Sequence, residues 1–282
     1  MGKKFNNIHV FCLFSANVLA WGCTNIYMPC LPNVAADFGI DDFWAKLTIS
    51  LGLIGGIMGR IFIGPMSDFF GRKKLFIYSL CFAVLGMFGC YCSHNIFAFL
   101  FFRFFQGIGS GAIFVQVISI LSDTQTGDRR ARLLSLVELA WPIAWGVAPL
   151  IGAYISDHFN WRMNFLLLVA LLSLIAIVLV FYLPETLRER KSEKKFKIKK
   201  LFQGYVAFSK HKLFLSYALI PGFVLGGYMI FAINGPFLYK SNFGYSAQNF
   251  ALLQSFPLIA YFFTIFLYRF IILRFGFVSA FK

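Results

Sequence analysis

Residues 64–74 read Gly64-Pro65-Met66-Ser67-Asp68-Phe69-Phe70-Gly71-Arg72-Lys73-Lys74, a short polar interruption between two long apolar runs. Its glycines permit a tight turn, and Asp68 at one helix end with Arg72 close by can form a charged clasp where the runs meet. On each side the chain stays apolar for about 20 residues, the length that crosses the hydrocarbon of a bilayer. Eight such segments run along the sequence, at roughly 9 to 30, 45 to 65, 74 to 93, 96 to 121, 132 to 154, 162 to 183, 213 to 236 and 248 to 271. Their apolar character is continuous rather than confined to one helical stripe, which argues for burial in lipid. The expected fold class is an all-α membrane protein.

Composition agrees. Of the 282 residues 59% are hydrophobic and 13% charged, and the mean hydropathy of +0.74 excludes a water-soluble domain. A net charge of +15 admits nucleic acid, anionic lipid or a basic membrane face as its reason. Its distribution decides. With the N-terminus inside, one face collects Lys3, Lys4, Arg72, Lys73, Lys74, Arg129, Arg130 and Arg132, then the cluster from Arg188 to Lys212, and later Arg269 and Arg274. The opposite loops hold only Lys46, Arg162 and Lys240, beside Asp37, Asp41 and Asp42. This asymmetry predicts a cytoplasmic N-terminus in a bacterial inner membrane and explains the charge without nucleic acid. Lys3 and Lys4 before an apolar stretch have the outline of a signal peptide, but no small-x-small cleavage site closes it and further spans follow at once.

The one long connection, from about Leu183 to Lys212, is dense in Lys and Glu and can form an amphipathic surface helix around Phe196, Ile198 and Leu201. It divides the chain into six helices over residues 1–187, a basic cytoplasmic linker over 188–212 and two helices over 213–282. Glycines at helical spacing, Gly55 with Gly59, Gly107 with Gly111 and Gly222 with Gly226, suit close helix packing. Cys12, Cys23, Cys30, Cys81, Cys90 and Cys92 lie in or beside apolar runs without metal-ligand spacing and read as small core residues. Four scattered histidines assemble neither a zinc site nor a hydrolase motif, and no Walker loop suggests ATP. No enzyme activity, metal or cofactor is expected.

The loop from Gly64 to Lys74 resembles the G-x-x-[AS]-D-R-x-G-R-[RK] signature of the major facilitator superfamily, departing at Phe69, where that family usually has a base. Arg103-Phe104-Phe105-Gln106-Gly107-Ile108-Gly109 in the fourth span is similar to its R-x-x-Q-G-x-G motif, and Asp123 at the inner end of that helix is placed to join Asp68 and Arg72. Gly146-Val147-Ala148-Pro149-Leu150-Ile151-Gly152-Ala153 resembles the G-P-x-x-G-G antiporter motif, with Ala148 and Ala153 in place of glycines. Trp161 to Phe165 and Leu183-Pro184-Glu185-Thr186 match further family hallmarks. Thr24-Asn25-Ile26-Tyr27-Met28-Pro29-Cys30-Leu31-Pro32 resembles the D-x-Y-x-P-x-L-P segment of Bcr/CflA-type drug:proton antiporters, except that Asn25 stands where that group has an acid.

The resemblance implies two six-helix halves with a substrate site between them at mid-membrane. It implies proton-coupled export of a small lipophilic or cationic solute across the bilayer. Asn25, Tyr27, Arg103 and Gln106 are then expected to line the pathway, while Asp68, Arg72 and Asp123 latch the cytoplasmic side. An arginine two turns inside a helix is costly unless it faces a polar interior or snorkels to the interface. Glu138, about two turns into the fifth span, is the one acid placed well within a span, either as proton carrier or paired with a loop base such as Arg132. Eight spans are two thirds of the twelve that the resemblance implies, so a truncated and inactive copy is the expectation. A membrane protein that does not transport, and a solute uptake symporter, are the alternatives.

Overall fold

The computed structural model describes residues 5–187 and 198–275. Lys3 and Lys4 lie outside the described residues, as do Arg188, Arg190, Lys191, Lys194, Lys195, Phe196 and Lys197 of the linker. The described chain is helical: α1 Asn7–Asn25, α2 Leu31–Phe38, α3 Asp42–Phe70, α4 Arg72–Cys92, α5 Ile96–Thr124, α6 Gly127–Glu138, α7 Ala140–His158, α8 Met163–Tyr182, α9 Ile198–Ser209, α10 Lys212–Phe243 and α11 Ala247–Phe275. Among these residues seven helical segments are long and apolar enough to cross a membrane, so the chain is a multi-pass integral membrane protein. The eighth expected span is present as α11 but is not one of the seven.

Prolines move several expected boundaries. The first span runs on to Phe38, broken by a 3-10 turn at Met28–Cys30, because Pro29 and Pro32 have no N–H for the carbonyls of Asn25 and Met28. The fifth span is α6 and α7 in series, broken at Leu139, because Pro142 cannot donate to the carbonyl of Glu138 and its ring crowds that carbonyl. Pro65, in contrast, stays inside α3, which continues to Phe70 where a loop was expected. The carbonyl it frees, that of Ile61, instead accepts a bond from the Tyr205 hydroxyl at 3.2 Å. Phe202 packs edge-on to Phe62 with ring centroids 6.2 Å apart, so the linker helix α9 is seated against the second span.

At the end of the bundle that carries the N-terminus, called here the near end, Asn6 and His9 cap α1 reciprocally. His9 Nδ1 accepts from the Asn6 backbone, which leaves Nε2 to donate to the Tyr182 carbonyl at 2.9 Å and tie the first span to the sixth. At the far end the buried Tyr27, Phe99, Trp161 and Phe165 and the half-buried Phe38 form one aromatic cluster, mostly edge-to-face at 5.2 to 6.3 Å.

The closest helix pair is α3 with α5. A side chain on Gly55 or Gly59 would strike the carbonyls of Phe104 or Ile108, and one on Gly107 or Gly111 those of Gly52 or Gly56. The two backbones therefore touch directly. Gly222 and Gly226 face open space instead, so the third expected glycine pair packs nothing among the described residues. Gly107→Leu is expected to lower stability by about 1–3 kcal/mol through overpacking, while Gly222→Leu leaves the melting temperature in detergent unchanged.

Of the cysteines, Cys12, Cys23, Cys30 and Cys90 are buried, but Cys81 and Cys92 are exposed. Those two correct the reading of all six as core residues. An apolar run in sequence does not distinguish a face turned to neighbouring helices from one turned outward.

Candidate functional site

Where the second span meets the third, Gly71 adopts φ 99°, a region that favours glycine, and turns the chain so that α4 starts at once. Gly64 makes no turn; it lies within α3, buried against Val115. Asp68 sits in the last turn of α3, the wrong end of the helix dipole for an acid. Arg72 offsets this, pairing with Asp68 through Nη2 at 2.6 Å and with Asp123 of α5 through Nε at 2.8 Å. Its Nη1 donates to Ser67 Oγ, and the residue is only 9% exposed. Lys73 makes no ion pair among the described residues.

Glu185, beyond the end of α8, completes the clasp. Its Oε1 accepts from the backbone N–H of Arg72 at 2.9 Å and from those of Thr186 and Leu187. A carboxylate there caps the N-terminus of α4, with Gly71 leaving it room. Sequence reading placed Glu185 in a family hallmark without assigning it this contact. At the far end, Arg162 bonds Asp37 at 2.8 Å and the Ser93 carbonyl, stitching three connections together.

Arg103 is fully buried. Its Nη1 donates to the carbonyl of Cys23 at 3.2 Å and to Gln106 Oε1, its Nε to the carbonyl of Thr48 at 3.4 Å, and its guanidinium lies 4.8 Å from the Tyr27 ring. Cys23 is in the last turn of α1, where carbonyls run out of helical donors. Gly52 leaves the space that the guanidinium fills. Tyr27 bonds Thr48 Oγ1 at 2.9 Å, and Gln106 donates to Ser110 Oγ at 3.1 Å. Asn25, 1% exposed, donates to the carbonyl of Trp21. The structure thus brings Tyr27, Arg103 and Gln106 together in a sealed polar knot joining α1, α3 and α5. They do not line the two cavities described next, as sequence reading expected, because the Arg103 guanidinium is held by the carbonyls of Cys23 and Thr48, and the Gln106 amide by Arg103 and Ser110.

In the fifth span, the carbonyl of Gly146 accepts from Ser255 of α11 at 2.7 Å, and a side chain on Gly152 would overlap the carbonyl of Ile26. Pro149 lies buried between them. Glu138 ends α6 beside the Pro142 break, exposed, outside both central cavities and without an ion pair among the described residues. Arg132 does not pair with it; its Nε bonds the carbonyl of Asp128.

Two of the cavities between the helices share a wall. The larger, about 670 Å³, lies between α7, α10 and α11 and is lined by Trp141, Trp145, Tyr228, Gln254 and Tyr261 among apolar neighbours. Trp145 and Tyr228 stack at 4.4 Å across it. The smaller, about 240 Å³, lies between α1, α3, α5, α7 and α10 and shares Trp145 and Leu225 with the first. Neither α4 nor α8 contributes to either wall. Arg60 of α3 lines the smaller cavity, a residue that sequence reading passed over although a lone arginine in an apolar run is itself a signal. Among the described residues no group of histidine, cysteine and acidic side chains is placed to hold a metal ion.

Comparison with known proteins agrees with this architecture. The chain is 30% identical over 232 residues to the uncharacterized MFS-type transporter YdgK of Bacillus subtilis, covering 81% of this chain and 57% of that protein. It is 26% identical over 227 residues to a bicyclomycin resistance protein homolog of Haemophilus influenzae, covering 80% and 56%. The multidrug resistance protein MdtL of Vibrio parahaemolyticus is 29% identical over 184 residues, 65% of this chain and 46% of that one. The chain thus spans little more than half the length of curated relatives that it matches. In fold it superposes on a bacterial homolog of the human lysosomal transporter Spinster, inward-facing and unoccupied, with TM-score 0.73 and 19% identity, over 94% of this chain and 63% of that one. The family model of the Major Facilitator Superfamily matches residues 13–280, and the chain belongs to that superfamily.

Proposed function

We propose that this chain forms the first six-helix bundle, 1–187, the cytoplasmic linker, 188–212, and the start of the second bundle, 213–282, of a proton-coupled exporter of small lipophilic solutes in a bacterial inner membrane. The observation that carries this reading is the aromatic cavity of about 670 Å³ between α7, α10 and α11, the size and character of a drug-sized site. The names of the bicyclomycin and multidrug resistance relatives support the direction, outward. The lysine and arginine asymmetry supports a cytoplasmic near end, with Gly64, Asp68, Gly71, Arg72, Lys73 and Asp123 as the gating segment there.

In this reading Arg103, Gln106, Tyr27 and Asn25 hold the pathway helices in register, and Gly146, Pro149 and Gly152 let α7 pass closely beside α1 and α11. Asn25 cannot carry a proton, so Glu138 is the carboxyl left in the fifth span to couple transport. The test is efflux of anionic, neutral and cationic lipophilic dyes from cells lacking their major pumps, with the protein confirmed in the membrane. Efflux that stops with a protonophore, and falls at least tenfold in Glu138→Gln, is the result expected of an active exporter, whereas the inactive copy that its short length suggests gives none. Efflux indifferent to the protonophore refutes proton coupling, and no efflux of any dye refutes export by this chain.

A further inference from the structure

Two arginines stand inside the apolar spans of the bundle, and only one is explained by its surroundings. The guanidinium of Arg103 donates from Nε and Nη1 to the carbonyls of Thr48 and Cys23 and to Gln106, leaving only Nη2 without a hydrogen bond. Arg60 has no such partners. Its guanidinium lies 4.9 Å from the Trp21 ring and 4.9 Å from the Phe114 ring, and its buried Nε has no hydrogen-bond partner. Of the acids, Asp37, Asp42, Asp68 and Asp123 are paired to other bases, and Glu185 caps α4. No carboxylate lines the cavity that Arg60 faces.

A cation held among aromatic rings in a membrane span, without a fixed counter-ion, is expensive and is retained where a ligand supplies the charge. The cavity around it suits a small amphipathic ligand. Trp21, Phe114 and Trp145 offer ring faces, Thr24 and Ser110 hydroxyls, and about 240 Å³ admits roughly one aromatic ring with a small polar group. Trp145 also walls the larger aromatic cavity, so a longer apolar body has somewhere to extend.

We infer that the smaller cavity is an anion site, and that the solute it takes is an aromatic carboxylic acid in its monoanionic form, with the carboxylate on Arg60 and the ring against Trp21 and Trp145. A guanidinium presents a planar pair of donors that matches a carboxylate, and the same charge disfavours lipophilic cations. The assignment rests on the export reading for the direction of movement alone; binding to Arg60 stands without it.

Three probes of one shape test it: 4-nitrobenzoate, neutral 4-nitrobenzamide and cationic 4-nitrobenzamidinium. Each is titrated against the purified full chain in lipid nanodiscs, following saturable quenching of tryptophan fluorescence, to which Trp21 and Trp145 contribute from the cavity wall. The expected order is the anion at least tenfold tighter than the amide, with the cation weakest. Arg60→Gln is expected to lower anion affinity at least tenfold and leave the amide unchanged, while Arg60→Lys keeps the preference for the anion with weaker binding. Equal affinity of anion and cation, or of the wild type and a folded Arg60→Gln for the anion, overturns the proposal. If Arg60→Gln does not fold, the three-probe order in the wild type and in Arg60→Lys decides. The assay needs no gradient, so lost export with intact anion binding counts against the export reading, and export of cations without anion binding counts against this site.

Discussion

Arg103→Ala is expected to cost about 3–5 kcal/mol, the largest stability loss of any single substitution considered in this bundle. The side chain is fully buried, so its removal leaves a cavity the length of an arginine. It also strands the Cys23 carbonyl at the end of α1 and the Gln106 amide, each without its charged donor. Arg103→Lys is expected to recover only part of this, because one ammonium cannot reach carbonyls on both α1 and α3 as a planar fork does. The measurement is thermal unfolding in detergent, where a fall of roughly 10 °C corresponds to such a loss in a chain of this size. Arg103→Ala melting within 2 °C of the wild type would show that the guanidinium ties nothing together. A second reading sharpens the test: Gly52→Ala, whose added methyl would press on Nη2, is expected to destabilise the wild type but to be tolerated beside Arg103→Ala.

The spans and their order were legible because lipid imposes one requirement, an apolar run of sufficient length, that local sequence satisfies or does not. The clasp was legible for a similar reason, since Asp68, Gly71 and Arg72 sit within five positions of one another and one turn brings them together. Other features depended on long-range geometry. Glu185 reaches the start of α4 from the end of α8, more than 100 residues away, and no local pattern announces which amide it caps. Glu138 was expected within one continuous helix. Pro142, four residues on, was the available signal for the break that leaves it exposed. Arg60 was missed for a different reason. Orientation follows from the bases in the loops, and an arginine within a span belongs to no loop, although the cost of burying Arg103 applies to it equally. Pathway roles for Tyr27 and Gln106 followed from assuming that a polar residue in a span faces the cavity. Here neighbouring side chains claim them instead, Thr48 the Tyr27 hydroxyl, and Arg103 and Ser110 the Gln106 amide.

Arg72→Ala is expected to open the near end of the bundle, raising modification of a cysteine placed at Lys73 at least tenfold. The physical argument is one of asymmetry among the partners. Removing Asp123 leaves Arg72 paired with Asp68, and removing Asp68 leaves it paired with Asp123. Removing Arg72 leaves two carboxylates facing one another, with Asp68 also against the negative end of α3. Either acid is more than a quarter exposed in its side chain, so each pair by itself contributes about 0–1 kcal/mol. The loss from Arg72→Ala exceeds that of either acid because the largely buried guanidinium also holds Ser67. Asp68→Asn and Asp123→Asn are therefore expected to raise labelling two- to threefold, and adding both to Arg72→Ala is expected to reverse part of its effect by removing the repulsion. Glu185→Gln supplies the counter-test. Its carboxylate caps α4 without contacting the Arg72 guanidinium, so this substitution is expected to loosen the end of the sixth span and spare the pairing of the second with the fourth. If Arg72→Ala labels no faster than the wild type while Glu185→Gln does, the near end is closed by the helix cap, and the ion pairs are not the latch.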